Sequence, residues 1–218
     1  MSWISNTVGR KFLMALSALF LISFLIIHVA INFLSVFSEE LYNSASHFMG
    51  TNPLIQFAMQ PVLIAGVVFH FVMGFVLEAK NRSSRPIKYA QKNSSANSTW
   101  MSRNMMISGL VILAFLALHF IDFWFPEINY KYIQNLPADE NRYYDELVHR
   151  MSNPARVGVY IVAFILLALH LMHGFQSSFQ SLGVNNKFTP GIKKFAAAFS
   201  YIVPLLFIFI AVYHFLNH

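Results

Sequence analysis

Five runs of apolar residues, each long enough to cross a bilayer, leave this chain few folds to choose from. A spanning helix rises about 1.5 Å per residue and needs about 20 predominantly apolar residues. The runs fall at 12–37, 54–79, 105–125, 156–179 and 195–216. In lipid every backbone N–H and C=O must be satisfied inside the protein, so runs of this kind form helices. The expected fold is therefore an all-α integral membrane protein with five transmembrane helices, in one domain spanning residues 1–218. The first run is too long for the apolar core of a signal peptide and lacks a small-residue cleavage site, so it reads as retained.

Charge sets the expected direction of the spans. The net charge is +6, and its placement argues for topology, not nucleic-acid binding. One side collects Arg10, Lys11, Lys80, Arg82, Arg85, Lys88, Lys92, Arg103, Lys187, Lys193 and Lys194. The other has only Lys131, Arg142 and Arg150, with Arg156 at a helix start. The positive-inside rule puts the first side, and the N-terminus with it, in the cytoplasm. Residues 126–153 then form an external loop, with a short amphipathic helix around Asn141–Met151. Residues 81–104 form a polar cytoplasmic linker.

Four histidines lie inside these apolar runs: His28, His70, His119 and His170. An ionisable side chain at membrane depth is costly and points to function. From the helical rise, His28 and His119 lie about 6 Å to the outer side of the membrane middle, and His70 and His170 about 5 Å to the inner side. Two imidazoles at one depth on different helices are able to hold one metal from both faces. Two such pairs suggest two haems, one near each membrane face. Gly66 and Gly74 flank His70 at i−4 and i+4, and Gly174 follows His170 at i+4. These glycines leave clearance beside a flat macrocycle on the same helix face. For a single buried histidine the plainer reading is a hydrogen bond to a neighbouring helix. The sorting into two depth-matched pairs is what favours metal ligation. His173 is a rival ligand by position, but a propionate or quinone contact suits it better. His47, His149 and His214 read as solvated or interfacial. The chain has no Cys, which excludes disulfides, thiolate-held iron–sulfur clusters and covalent C-x-x-C-H haem attachment.

The five-span layout, the four histidines and the run His170-x-x-His173-Gly174-x-x-Ser177-x-x-Gln180-x-Leu182-Gly183 resemble the dihaem cytochrome b subunits of succinate:quinone oxidoreductases. That family comprises succinate dehydrogenases and quinol:fumarate reductases, and the likeness covers essentially the whole chain. It implies two haem b groups with paired axial histidines, His28 with His119 and His70 with His170. The first four helices would then surround both haems as a cofactor-bearing bundle, and the fifth, which has no mid-depth histidine, is expected to be peripheral. The resemblance further implies a cytoplasmic flavoprotein subunit, an iron–sulfur subunit and a membrane quinone, typically menaquinone. The setting would be the bacterial cytoplasmic membrane, and the chain would carry electrons without acting on succinate itself. Some dihaem fumarate reductases have a glutamate two residues before the histidine matching His170. This chain has Ala168 there, so the resemblance does not extend to a carboxylate relay. Polar candidates for quinone contact are Asn43, His47, Gln56 and Gln60 on the outer side, and His173, Ser177 and Gln180 on the inner side. Arg10, Lys11, Arg103 and Arg156 are candidates for propionates. A dihaem anchor of a hydrogenase, formate dehydrogenase or nitrate reductase would show the same ligand logic. A haem-free transporter with a histidine proton relay is the rival of another class.

Overall fold

The computed structural model describes residues 6–83, 104–184 and 186–217. Among them every regular element is helical. Five helices are long and apolar enough to cross a membrane: α1 (Thr7–Leu34), α3 (Ile55–Ser83), α4 (Met105–Ile133), α6 (Pro154–Ser181) and α7 (Thr189–Asn217). Two short helices join them, α2 (Glu39–Thr51) and α5 (Arg142–Met151). Helix ends follow local chemistry. Asn6, Ser38 and Asn153 cap α1, α2 and α6 by accepting backbone N–H bonds from Gly9, Leu41 and Arg156. These side chains satisfy donors that a helix start leaves without partners. Pro154 occupies the first turn of α6, where its missing N–H costs nothing.

The long helices expose Val62, Val68, Val72, Ile202 and Leu205, each more than half accessible. So much apolar surface on one molecule is a liability in water and a necessity in lipid. The protein is a multi-pass membrane protein. The basic residues Arg85, Lys88, Lys92 and Arg103, and most of the 81–104 linker, lie outside the described residues.

Three expectations are corrected. The third span does not stop at 125: α4 continues to Ile133. A π-helical turn at Phe120–Trp124 re-registers the hydrogen bonds just ahead of Pro126. The proline then falls at the start of the next α-helical turn and breaks no bond. The fifth span is not peripheral. α7 makes the most extensive helix pair in the described fold, with α6, and also packs on α1. Phe207 stacks on Phe164 at 5.1 Å, and Phe199 meets Phe175 at 5.2 Å. Ala196, Val203, Ile210 and Ala211 complete a buried seam. Its central role needs no mid-depth histidine, only small and aromatic residues facing α6. Finally, His214 is fully buried, not interfacial. Its Nε2 lies 2.8 Å from Ser35 Oγ. That hydroxyl donates to the Asn32 carbonyl at 2.6 Å, so it accepts from the imidazole and ties α7 to the end of α1.

On the side where α1 ends, α5 is clamped between α2 and α4. The Asn43 side chain donates to the Asn141 carbonyl at 3.2 Å and accepts from the Tyr144 N–H at 2.8 Å. Arg142 lies over the rings of Tyr130 and Tyr143, at 4.2 and 4.4 Å from their centres. It also pairs with Glu127 and with Glu146. Burial pushes the Tyr143 hydroxyl above the usual phenol range.

Candidate functional site

The four mid-span histidines meet in two pairs. The ring centres of His28 on α1 and His119 on α4 are 5.7 Å apart. Those of His70 on α3 and His170 on α6 are 6.4 Å apart. Metal–imidazole bonds of about 2 Å on each side put two ring centres roughly 6 Å apart. Both separations match that demand, so the donor sets fit a haem iron held from two faces. The partners are the same ones expected from depth along the spans. The planes in each pair are strongly inclined, at 89° and 65°.

The surroundings of the four rings repeat. Phe24 stacks on His28 at 5.2 Å and Phe115 on His119 at 5.9 Å, each from one helical turn earlier. Ser17 Oγ on α1 lies 3.1 Å from His70 Nδ1, and Ser108 Oγ on α4 lies 3.2 Å from His170 Nδ1. Each serine also donates to a carbonyl three residues earlier, that of Met14 or Met105. The side chain of Met14 faces Gly74, and that of Met105 faces Gly174. The chain therefore holds two copies of one pattern. M-x2-S-x6-F-x3-H runs through Met14, Ser17, Phe24 and His28 on α1, and through Met105, Ser108, Phe115 and His119 on α4. H-x3-G follows on α3 and on α6. Every histidine pair takes one ring from each copy. Sequence reasoning missed both serines. The repeated S-x10-H spacing, close to three whole helical turns, was the signal that would have found them.

The copies differ around the His28/His119 pair. Tyr160 approaches His119 Nδ1 at 3.5 Å and donates to Asp122 at 2.8 Å. Arg156 closes the chain on Asp122 at 2.5 Å. The Asp122 side chain has no exposure at all. His28 instead packs against Phe207 of α7 at 5.7 Å. Arg156, expected as a propionate partner, is thus engaged by a carboxylate.

The glycines serve helix approach. A Cβ on Gly66 would stand 2.8 Å from Phe20, and one on Gly174 would stand 3.2 Å from Met105. Gly66→Ala is expected to cost about 1–2 kcal/mol by overpacking the α1–α3 contact. A thermal melt of the purified protein checks this, with an unchanged midpoint as the contrary result.

The polar candidates scatter. Both ends of the Asn43 amide are committed to α5. Gln56 accepts from the Tyr132 hydroxyl at 2.8 Å, and His47 faces Glu140 at 3.6 Å. Gln60 borders an apolar groove of about 700 Å³ on α3, closed on one side by Trp124 of α4. The Trp124 indole N–H is buried with no hydrogen-bond partner among the described residues. His173 and Ser177 are half-buried on α6, and Gln180 is exposed.

Neither a family model nor a solved structure matches the chain. A curated relative does. The succinate dehydrogenase cytochrome b558 subunit of Bacillus subtilis (strain 168) is 26% identical over 167 residues, covering 74% of this chain and 72% of the relative. The chain is similar to that cytochrome b subunit. The likeness covers most of both sequences, and the five long apolar helices agree with a membrane protein.

Proposed function

We propose that this chain is the dihaem cytochrome b anchor of a succinate:quinone oxidoreductase. It would sit in a bacterial cytoplasmic membrane with its N-terminus in the cytoplasm, as one transmembrane domain. The observation that carries the reading is the pair of imidazole pairs, each at a separation suited to one metal and each drawn from two helices. In this orientation His28 and His119 hold the outer haem b, and His70 and His170 the inner one. Bound haem with two axial histidines supplies one-electron transfer and has no open position for oxygen. The exchange would run between a cytoplasmic flavin and iron–sulfur dehydrogenase and membrane quinone, menaquinone above all.

The protein's own residues hold and insulate. Phe24, Phe115, Phe123 and Phe207 wall the outer pair with apolar rings. Such a wall keeps water from the imidazoles and lowers the local dielectric. His173, one turn towards the cytoplasm from His170, suits a propionate or quinone contact. Among the quinone candidates, Gln60 is favoured, because it borders an apolar groove beside the unpartnered Trp124 indole N–H. Lys187, Lys193 and Lys194 offer the docking subunits a basic surface.

A pyridine haemochrome assay on the purified chain is expected to return two b-type haems. One haem or none overturns the reading. With the flavoprotein and iron–sulfur subunits present, succinate is expected to reduce the inner haem, and fumarate to reoxidise dithionite-reduced haem. Failure in both directions would assign the anchor to a hydrogenase or formate dehydrogenase instead.

A further inference from the structure

Two serines face the histidine pair on α3 and α6, and each has already used its proton. A hydroxyl has one proton to give. Ser17 gives its proton to the Met14 carbonyl at 2.8 Å, and Ser108 gives its own to the Met105 carbonyl at 2.9 Å. Each oxygen is left as an acceptor, 3.1 Å from His70 Nδ1 and 3.2 Å from His170 Nδ1. A bond at these distances requires the proton to sit on Nδ1. A neutral imidazole carries only one N–H. Both Nε2 atoms are therefore lone-pair donors. Both serines are buried, at 9% and 7% exposure, so water does not compete for the bond. The arrangement occurs twice, on α1 and on α4, at the same position of the repeated pattern.

We infer that Ser17 and Ser108 are positioning residues for the inner haem: they lock both of its imidazoles in the Nδ1–H form and strengthen both as donors. The inference rests on the reading of His70 and His170 as ligands of one iron. An acceptor on the far nitrogen of a ligating histidine fixes ring orientation and raises ligand basicity. A more basic ligand favours the oxidised iron. Removing the acceptor therefore raises the midpoint of that haem. A serine that merely satisfied its own helix would leave the midpoint where it was.

The test uses the purified complex carrying Ser17→Ala, Ser108→Ala or Ser17→Thr, with visible redox titration, electron paramagnetic resonance and haem content as readouts. Each alanine variant is expected to keep two haems and to leave the outer component unchanged. The inner component is expected to shift on the order of tenfold towards the reduced form, about 59 mV for one electron. Ser17→Thr, which restores the hydroxyl, is expected to return to the wild-type midpoint. Two haems with an unmoved inner midpoint and spectrum overturn the inference, as does an equal shift of the outer component. If alanine removes the inner haem alone, its retention in Ser17→Thr supports the inference and its loss there overturns it. A wild-type complex with fewer than two haems removes the ligand reading itself, a result separable from all of these.

Discussion

Replacing His28 or His119 with alanine is expected to remove one and the same haem component, and replacing His70 or His170 the other. Each loss should be complete for that component, because an iron held by two imidazoles has no third protein donor to recruit. Among the described residues no group of three or more His, Cys, Asp or Glu side chains is placed to hold a metal ion. The measurement is a reduced-minus-oxidised spectrum of each variant with its haem-to-protein ratio. His173→Ala should keep both haems and alter only turnover or potential. The proposed pairing fails if His28→Ala and His70→Ala erase the same component. The His170 assignment fails if His173→Ala loses the inner haem while His170→Ala keeps it.

Arg156→Ala is expected to be the most damaging single change away from the histidines. Its partner Asp122 has a wholly buried side chain, whereas Arg156 keeps about a quarter of its own exposed. Removing the cation strands a carboxylate with Tyr160 as its remaining side-chain donor. Breaking a buried pair from one side costs about 3–5 kcal/mol, far more than the pair contributes as a unit. Asp122→Ala should cost less, since the freed guanidinium reaches water. The double variant should recover part of the Arg156→Ala loss, and a double-mutant cycle measures the coupling. An unfolding free energy for Arg156→Ala within about 1 kcal/mol of wild type would make the pair an incidental surface contact.

Spans and histidine partners were legible in the sequence for one physical reason. Lipid demands long apolar runs, and position along a helix of constant rise converts directly to depth. What depends on packing between helices was not legible. Pro126 looked like a helix end, and only the π-helical turn at Phe120–Trp124 makes it harmless. His214 sits near the chain's end and looked interfacial. Its burial follows from the contact of α7 with α6 and α1, which composition does not announce. Ser17 and Ser108 were hidden because small hydroxyls in apolar helices are common and usually bond their own backbone. Only the imidazoles opposite give them a second role. Asn43 was singled out for the right polarity, yet its amide is spent joining α2 to α5.

The doubled pattern has a consequence for assembly. Each histidine pair borrows one ring from the first copy and one from the second, so neither copy holds a complete pair by itself. Direct contact between α3 and α4 is slight. A haem bound across each pair would act as a rivet between the halves, and its binding energy would count as folding energy. Two halves with one design would then be closed by two rivets, with α1 also packed on α6 and α7 as an added strut that leans most heavily on α6.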